Sequence, residues 1–414
     1  MITVEKNQLK KVLTNLSKLK TVSDSDKTNS KYLVITLQDG KVTLSRMGNS
    51  NNVVNATLPD NYLSNDTQAI VSFDLFKKTI SNLGSSDISI DFNSPITIDV
   101  NGHSVIRSVQ SDSMDDYYTK DIDVANCNKV SVTNKVLLEI ISTMREKVSV
   151  DCLKSNNLTS LRLEASHYDG QSFLGAIATD SISFINKKYT EGVNVELDEG
   201  NIHFNLDGFF LASLEGALKT NKEGTTDFYV SKEDKRDVDI YACVNNSDVP
   251  SYKYMFTYNF NNYVNYDFII ESPAVASFGI STNMIRQYLG TLNLSLKNEK
   301  LDKNKHFIVI GIGTKVGEVS MSLFREDKLE AYKTVFLNTD EPKLYTDNTN
   351  YDSLLDGSVL KMKVNFHRFK CLLDSVTDDR LEVSIDGHVH CVHLDSGYNK
   401  YLLKCLLESE PVNG

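Results

Sequence analysis

At 414 residues, 40% of them apolar and 24% charged, the chain is too long for one ordinary core and too apolar for a disordered tract, so two to four domains are expected. No stretch is long and apolar enough to cross a bilayer, and the opening MITVEKNQLKK has no signal-peptide apolar run behind its early charge, so a soluble, cytoplasmic protein is expected. A net charge of −11, from 55 acidic and 44 basic side chains, argues against a polyanionic partner only if the charge is evenly spread.

It is not. Wound at helical pitch, residues 9–20 (LKKVLTNLSKLK) put Leu9, Val12, Leu13, Leu16 and Leu19 on one face and Lys10, Lys11, Lys18 and Lys20 on the other. Five further amphipathic windows follow in chain order. They are 74–83 with Lys77 and Lys78, 133–147 with Lys135, Arg145 and Lys147, and 206–222 with Lys219 and Lys222. The last two are 282–297 with Arg286 and Lys297, and 366–376 with Arg368 and Lys370. Together the six windows carry +9, leaving −20 for the rest of a chain whose total is −11. One lysine-faced helix is what solvation alone produces; five net-positive windows of six in an acidic chain fit a shared face toward a polyanion better.

The windows recur in order. A strand-helix unit reads TVEKNQLKKVLTNL, then VSVTNKVLLEIISTM, then FGISTNMIRQYLGTL, each followed by alternating strand segments. A second helix leading into a strand reads SFDLFKKTISNLGSSDISIDF, FNLDGFFLASLEGALKTNKEGTTDFYV and VNFHRFKCLLDSVTDDRLEVSID. An α+β chain of three repeated domains is expected, 1–127, 128–264 and 265–414, each with two helices packed on antiparallel sheets. The stretches NFNNYVNYDFIIESP and LNTDEPKLYTDNTNYDSLLDGS read as connecting loops or insertions.

Chemistry is sparse. The six cysteines have no C-x-x-C pair and read as reduced fillers. In GIGTKVG, Val316 stands where a G-x-G-x-x-G loop needs its third glycine, and an alternating strand follows in place of a helix, so a hairpin is expected. HVHCVH places His388 and His390 on one strand face, the start of a metal site that no other residue obviously completes. The Thr179–Asp180 pair has no motif-linked base. No cofactor and no catalysis are expected.

The start MITVEKNQLKKVLTNLSK, the middle signature LGAIATDSISF, the segment DVPSYKYMF, and the end VNFHRFKCLLDSVTDDRLEVSIDGHVHCVHL with YLLKCLL resemble the bacterial replicative sliding clamp, the beta processivity subunit of DNA polymerase III. The resemblance spans essentially the whole chain at the level of pattern, with few identical residues. It implies half of a closed ring, a head-to-tail homodimer around double-stranded DNA, with the cationic faces of the six helices turned inward. Twelve helices ~10 Å apart make a circle of axes ~38 Å across and a hole of ~28 Å, room for a duplex and water. It also implies a pocket that takes short apolar peptide motifs of a DNA polymerase and a clamp loader, at Leu158, Thr179, Phe184, Pro250, Met255, Leu402 and Leu406. Ring-closing edges fall at Val105, Ile106 and Leu294. The sequence departs from the family where Ser181, Ile182 and Ser183 replace a Gly-His-Arg run. It departs again at Tyr254, where a basic residue is common, and at Lys404 and Cys405, where Met and Pro are usual. Two other functions stay open: a clamp-fold protein that binds replication proteins without encircling DNA, and a metal-dependent enzyme using His388 and His390.

Overall fold

The computed structural model describes residues 1–19, 31–47, 53–60, 62, 65–84, 87–92, 95–99, 103–106, 123–148, 160–197, 200–232, 237–245, 250–259, 266, 270–296, 304–313, 318–326, 331–345, 358–386 and 391–411. Among them lie six α-helices: α1 (Lys6–Leu16), α2 (Phe73–Asn82), α3 (Asn134–Met144), α4 (Gly208–Thr220), α5 (Thr282–Leu294) and α6 (Phe366–Ser375). All six fall on the windows read from periodicity. Each follows directly on a strand, and the residue at the junction keeps extended geometry, as at Ser72, Thr133, Ser281 and Asn365. Short polar residues suit that position, because the N-cap is extended while its side chain can reach the first free amides. At Asn365 it does so: Oδ1 accepts from the Arg368 amide at 3.0 Å.

The chain forms two compact units, one of residues 1–176 and 189–263 and the other of residues 177–188 and 264–414. In the first, strands Ile2–Glu5, Asp87–Asp91, Ile96–Asp99 and His103–Ile106 form a four-stranded antiparallel sheet. A nine-stranded antiparallel sheet runs from Val193–Glu196 through Cys127–Thr133, Thr225–Ser231, Asp237–Asn245, Ser251–Asn259, Val53–Thr57, Lys41–Met47 and Tyr32–Gln38 to Thr67–Ser72. Asp-Gly pairs close two hairpins: Asp39 and Gly40 have φ of 49° and 74°, Asp169 and Gly170 have 52° and 75°, the doubly left-handed turn that matches strand twist.

Helices α1 and α2 pack on each other, as do α3 and α4. The apolar faces read from the sequence close the core: Leu9, Val12, Leu13 and Leu16 of α1, and Leu137, Ile140, Ile141 and Met144 of α3, are fully buried. Each such side chain contributes roughly 1.5–3 kcal/mol by leaving water.

In the second unit, α5 and α6 pack together, and Ile285 and Leu289 of the first and Phe369 and Leu373 of the second are buried. One sheet orders Ser183–Tyr189, Asn399–Lys404, Cys391–Ser396, Arg380–Asp386, Ala274–Ser281 and Lys343–Leu344. The other orders Lys333–Leu337, Val319–Arg325, His306–Gly313, Ser358–Asn365 and Leu406–Pro411. Strands His306–Gly313 and Val319–Arg325 pair antiparallel, with the Gly313 amide donating to the Glu318 carbonyl at 2.9 Å, so GIGTKVG joins two paired strands as expected. Cys127, Cys243, Cys371, Cys391 and Cys405 are thiols and not disulfides; burial pushes Cys405 up to about 12.

Candidate functional site

In the first unit the basic surface begins on α1. Lys10 and Lys11 are exposed, and Lys18 is exposed in the turn that follows the helix; none of the three makes an ion pair among the described residues. Lys20 lies outside the described residues. The three lysines, with Glu5, Thr14 and, from α4, Gly216 and Thr220, line a cavity of about 470 Å³. The close approach of α1 to α4 depends on Gly216: a Cβ there would press on the Asn15 carboxamide and lie 2.7 Å from the Lys18 Nζ.

Asn15, which also lines the cavity, is buried and donates to the Tyr254 hydroxyl at 3.3 Å, and that hydroxyl shares a hydrogen bond with Ser213 of α4 at 3.2 Å. Tyr254 is 1% exposed, and burial drives its hydroxyl far above the usual tyrosine range. The departure noted at Tyr254 thus has a structural role, bridging α1 and α4. Sequence reasoning missed it, although a tyrosine among the buried alternating positions of SYKYMF was the available signal.

The other cations of this unit differ. Lys78, Lys135 and Lys222 are exposed and Lys77 is half-buried. Arg145, just past α3, and Lys219 both pair with Glu215 of α4, the lysine at 2.7 Å. Lys147 is a correction: expected on the cationic face, it is 7% exposed. Helix α3 ends at Met144, and Arg145–Lys147 wind as a 3-10 turn. Tighter winding advances each residue by about 120° instead of 100°, which rotates Lys147 off the polar face.

In the second unit, Arg286 of α5 is half-buried and donates to the Leu373 and Val376 carbonyls at 2.7 and 2.6 Å, capping the end of α6. Arg368 of α6 pairs with Asp180 at 2.5 Å and Lys370 with Asp374 at 2.6 Å. Lys297 lies outside the described residues.

The expected peptide-pocket residues divide between the units. Pro250 and Met255 belong to the first unit; Met255 packs in an apolar cluster with Val53 and Tyr241. Thr179, Phe184 and Leu402 belong to the second. Leu158 and the Leu406 side chain lie outside what is described. Phe184 and Leu402 are direct cross-strand partners and, with Ile177, form a buried apolar cluster.

Beside this cluster Thr179 and Asp180 build a turn. The Thr179 hydroxyl donates to the Ser183 carbonyl at 2.9 Å and accepts from the Ser181 amide at 3.2 Å. Asp180 Oδ1 accepts from the Ser183 amide at 2.7 Å, the Ser183 hydroxyl at 2.9 Å and the Ile182 amide at 3.1 Å. Burial works against ionised Asp180, but the Ser183 hydrogen bonds and the Arg368 guanidinium outweigh it and hold the carboxyl below the usual carboxylate range. This pair is therefore turn structure, in place of a catalytic dyad.

Of the expected ring-closing residues, Leu294 is 79% exposed. Ile106 is a correction: it is 2% exposed, paired across the sheet with buried Ile96, because its strand turns that side chain into the core. Val105 lies on the same strand, His103–Ile106, and its side chain lies outside what is described. His388 and His390 also lie outside the described residues, among which no group of three or more His, Cys, Asp or Glu is placed to hold a metal. No helix among the described residues is long and apolar enough to cross a membrane.

Paired helices on antiparallel sheets, repeated along the chain, are the architecture of the bacterial DNA sliding clamp, and the chain has that fold over nearly all of its length. Among solved structures it is similar to DNA polymerase III subunit beta from Borrelia burgdorferi in complex with a natural product, at 15% identity and a TM-score of 0.70 over 98% of both chains. It is similar to the DNA polymerase sliding clamp from Bacillus subtilis, at 12% identity and a TM-score of 0.71 over 98% of both chains. The Helicobacter pylori beta clamp bound to DNA ligase peptide matches at 14% identity and a TM-score of 0.68, over 98% of this chain and 99% of that one. No protein-family model matches the sequence, and no curated protein matches it significantly.

Proposed function

We propose that this protein is a cytoplasmic DNA sliding clamp. Three successive clamp domains, 1–127, 128–264 and 265–414, make half of a ring; a head-to-tail homodimer encircles duplex DNA and tethers a DNA polymerase to its template, without catalysis or cofactor. The observation that carries the reading is the sliding-clamp fold over 98% of the chain. The exposed Lys10, Lys11 and Lys18, which make no ion pair among the described residues, support it in a chain of charge −11. A ring that must slide should hold DNA by topology and only loosely by charge. Sparse long cations acting over a Debye length of ~8 Å do that, and an acidic exterior keeps DNA off the outside. Partners bearing short apolar motifs would engage Phe184 and Leu402, with Thr179, Pro250, Met255, Leu158 and Leu406 as further expected contacts, in the manner suggested by the peptide-bound Helicobacter pylori clamp. Exposed Leu294 is available for ring closure.

The test is topological. Light scattering should give a particle near twice 46.5 kDa, and protein loaded on nicked circular DNA should survive gel filtration until the circle is linearised, then be lost. A monomer, or equal retention on both forms, removes the ring. A second reading, a clamp-fold protein that binds replication proteins without encircling DNA, is favoured by the internal use of Arg145, Lys219, Arg286 and Arg368. It predicts no retention on circles and undiminished peptide binding.

A further inference from the structure

Along strands Ser183–Tyr189 and Asn399–Lys404, burial does not alternate. Ser183, Phe184 and Ile185 are all buried, and so are Tyr401, Leu402 and Leu403. Successive strand side chains point to opposite faces, so such runs need cover on both. One face carries Tyr401, whose hydroxyl donates to the Ser375 carbonyl at the end of α6, and so meets the helices. The opposite face carries Phe184 and Leu402, with Ile177 beside them.

That second face is covered as well. Tyr266 and Ile270 pack on the Ile177, Phe184 and Leu402 cluster, with the Tyr266 ring 4.8 Å from that of Phe184 and tilted by 49°. The Ile270 amide donates to the Tyr266 carbonyl at 3.0 Å. Both side chains stay only partly buried.

We infer that the Tyr266 and Ile270 side chains are a built-in occupant of this apolar floor, which a partner's peptide must displace in order to bind. The inference rests on the reading of Phe184 and Leu402 as the partner-peptide floor. An aromatic and a branched aliphatic side chain packed side by side on the cluster offer the floor the same two-anchor chemistry that a short motif with Leu and Phe does. Being tethered, they act at an effective concentration of about millimolar and need no association step, so free peptide competes at a disadvantage. The apparent Kd rises by the inverse of the fraction of molecules in which the floor is uncovered. Partner binding thereby becomes selective for motifs strong enough to evict the two side chains.

The chain contains no tryptophan, so Tyr266→Trp introduces a single reporter into the full-length protein. The probe is a labelled synthetic pentapeptide ending in Leu-Phe. Its titration should shift the tryptophan emission to the red as the ring leaves Phe184, and the double variant Tyr266→Ala/Ile270→Ala should bind the probe about tenfold more tightly or better. In the double-variant background, Phe184→Ala should abolish that binding. Equal affinity in parent and double variant, both sensitive to Phe184→Ala, would overturn the occupant and leave the peptide floor standing. Peptide binding without an emission shift would overturn it too. If neither form binds the probe, the peptide-floor reading fails and the inference fails with it.

Discussion

Ser181 has a φ of +72°, in the left-handed region that a side chain enters at a cost of about 1–2 kcal/mol. The hydrogen bonds from the Ser181, Ile182 and Ser183 amides to the side chains of Thr179 and Asp180 hold it there, so the absence of a glycine does not open the turn. A titratable residue gives a sharper test. His203 stands opposite Glu164 on paired strands, and burial, then the charge of Arg162, lower its pKa from 6.5 to about 4. Between those values the unfolded chain binds a proton that the native imidazole refuses. Its contribution is therefore fully present above pH 6.5 and is lost as pH falls toward 4. Melting temperature should drop across that window, and His203→Gln should flatten the drop without changing behaviour above pH 7. An unchanged pH profile would mean that His203 titrates normally.

At the scale of elements, the contact between α1 and α4 sets two tendencies against each other at Gly216. Helix propensity alone favours Gly216→Ala by about 1 kcal/mol. The added methyl would press on Asn15, which is 5% exposed and tied to Tyr254. Overpacking of that kind costs roughly 1–3 kcal/mol, so the expected net is a loss of about 1 kcal/mol in urea denaturation. A variant as stable as its parent would show that the two helices stand further apart in solution. The existence of all six helices was legible because each has a 3.6-residue apolar period and starts directly from an alternating strand. The tight turn after α3, and with it the burial of Lys147, was not, because the period runs on unbroken past Met144.

At the scale of the whole molecule, the question is what the positive charge does. Replacing Lys10, Lys11, Lys18 and Lys20 by Glu should leave the light-scattering mass unchanged while weakening retention on circular DNA. The dependence of log K on log salt should flatten by about 0.9 for each phosphate contact removed. Undiminished retention with an unchanged salt slope would assign those lysines to solvation alone. Arg286→Gln makes a useful contrast, since that guanidinium caps α6: it should lower stability by about 1–2 kcal/mol and leave the salt slope unchanged.

Read alone, the sequence sufficed for the α+β class, the helix positions, the pairing of strands across GIGTKVG and the sorting of charge, because all of these depend on residues within a few positions of one another. Which cations stay free was decided in three dimensions. Arg145 meets Glu215, and Arg368 meets Asp180, across 70 and 188 positions. The same holds for Tyr266 against Phe184 and Tyr254 against Asn15. Burial and pairing are set by whichever surface the fold brings up, and local periodicity carries no record of that surface.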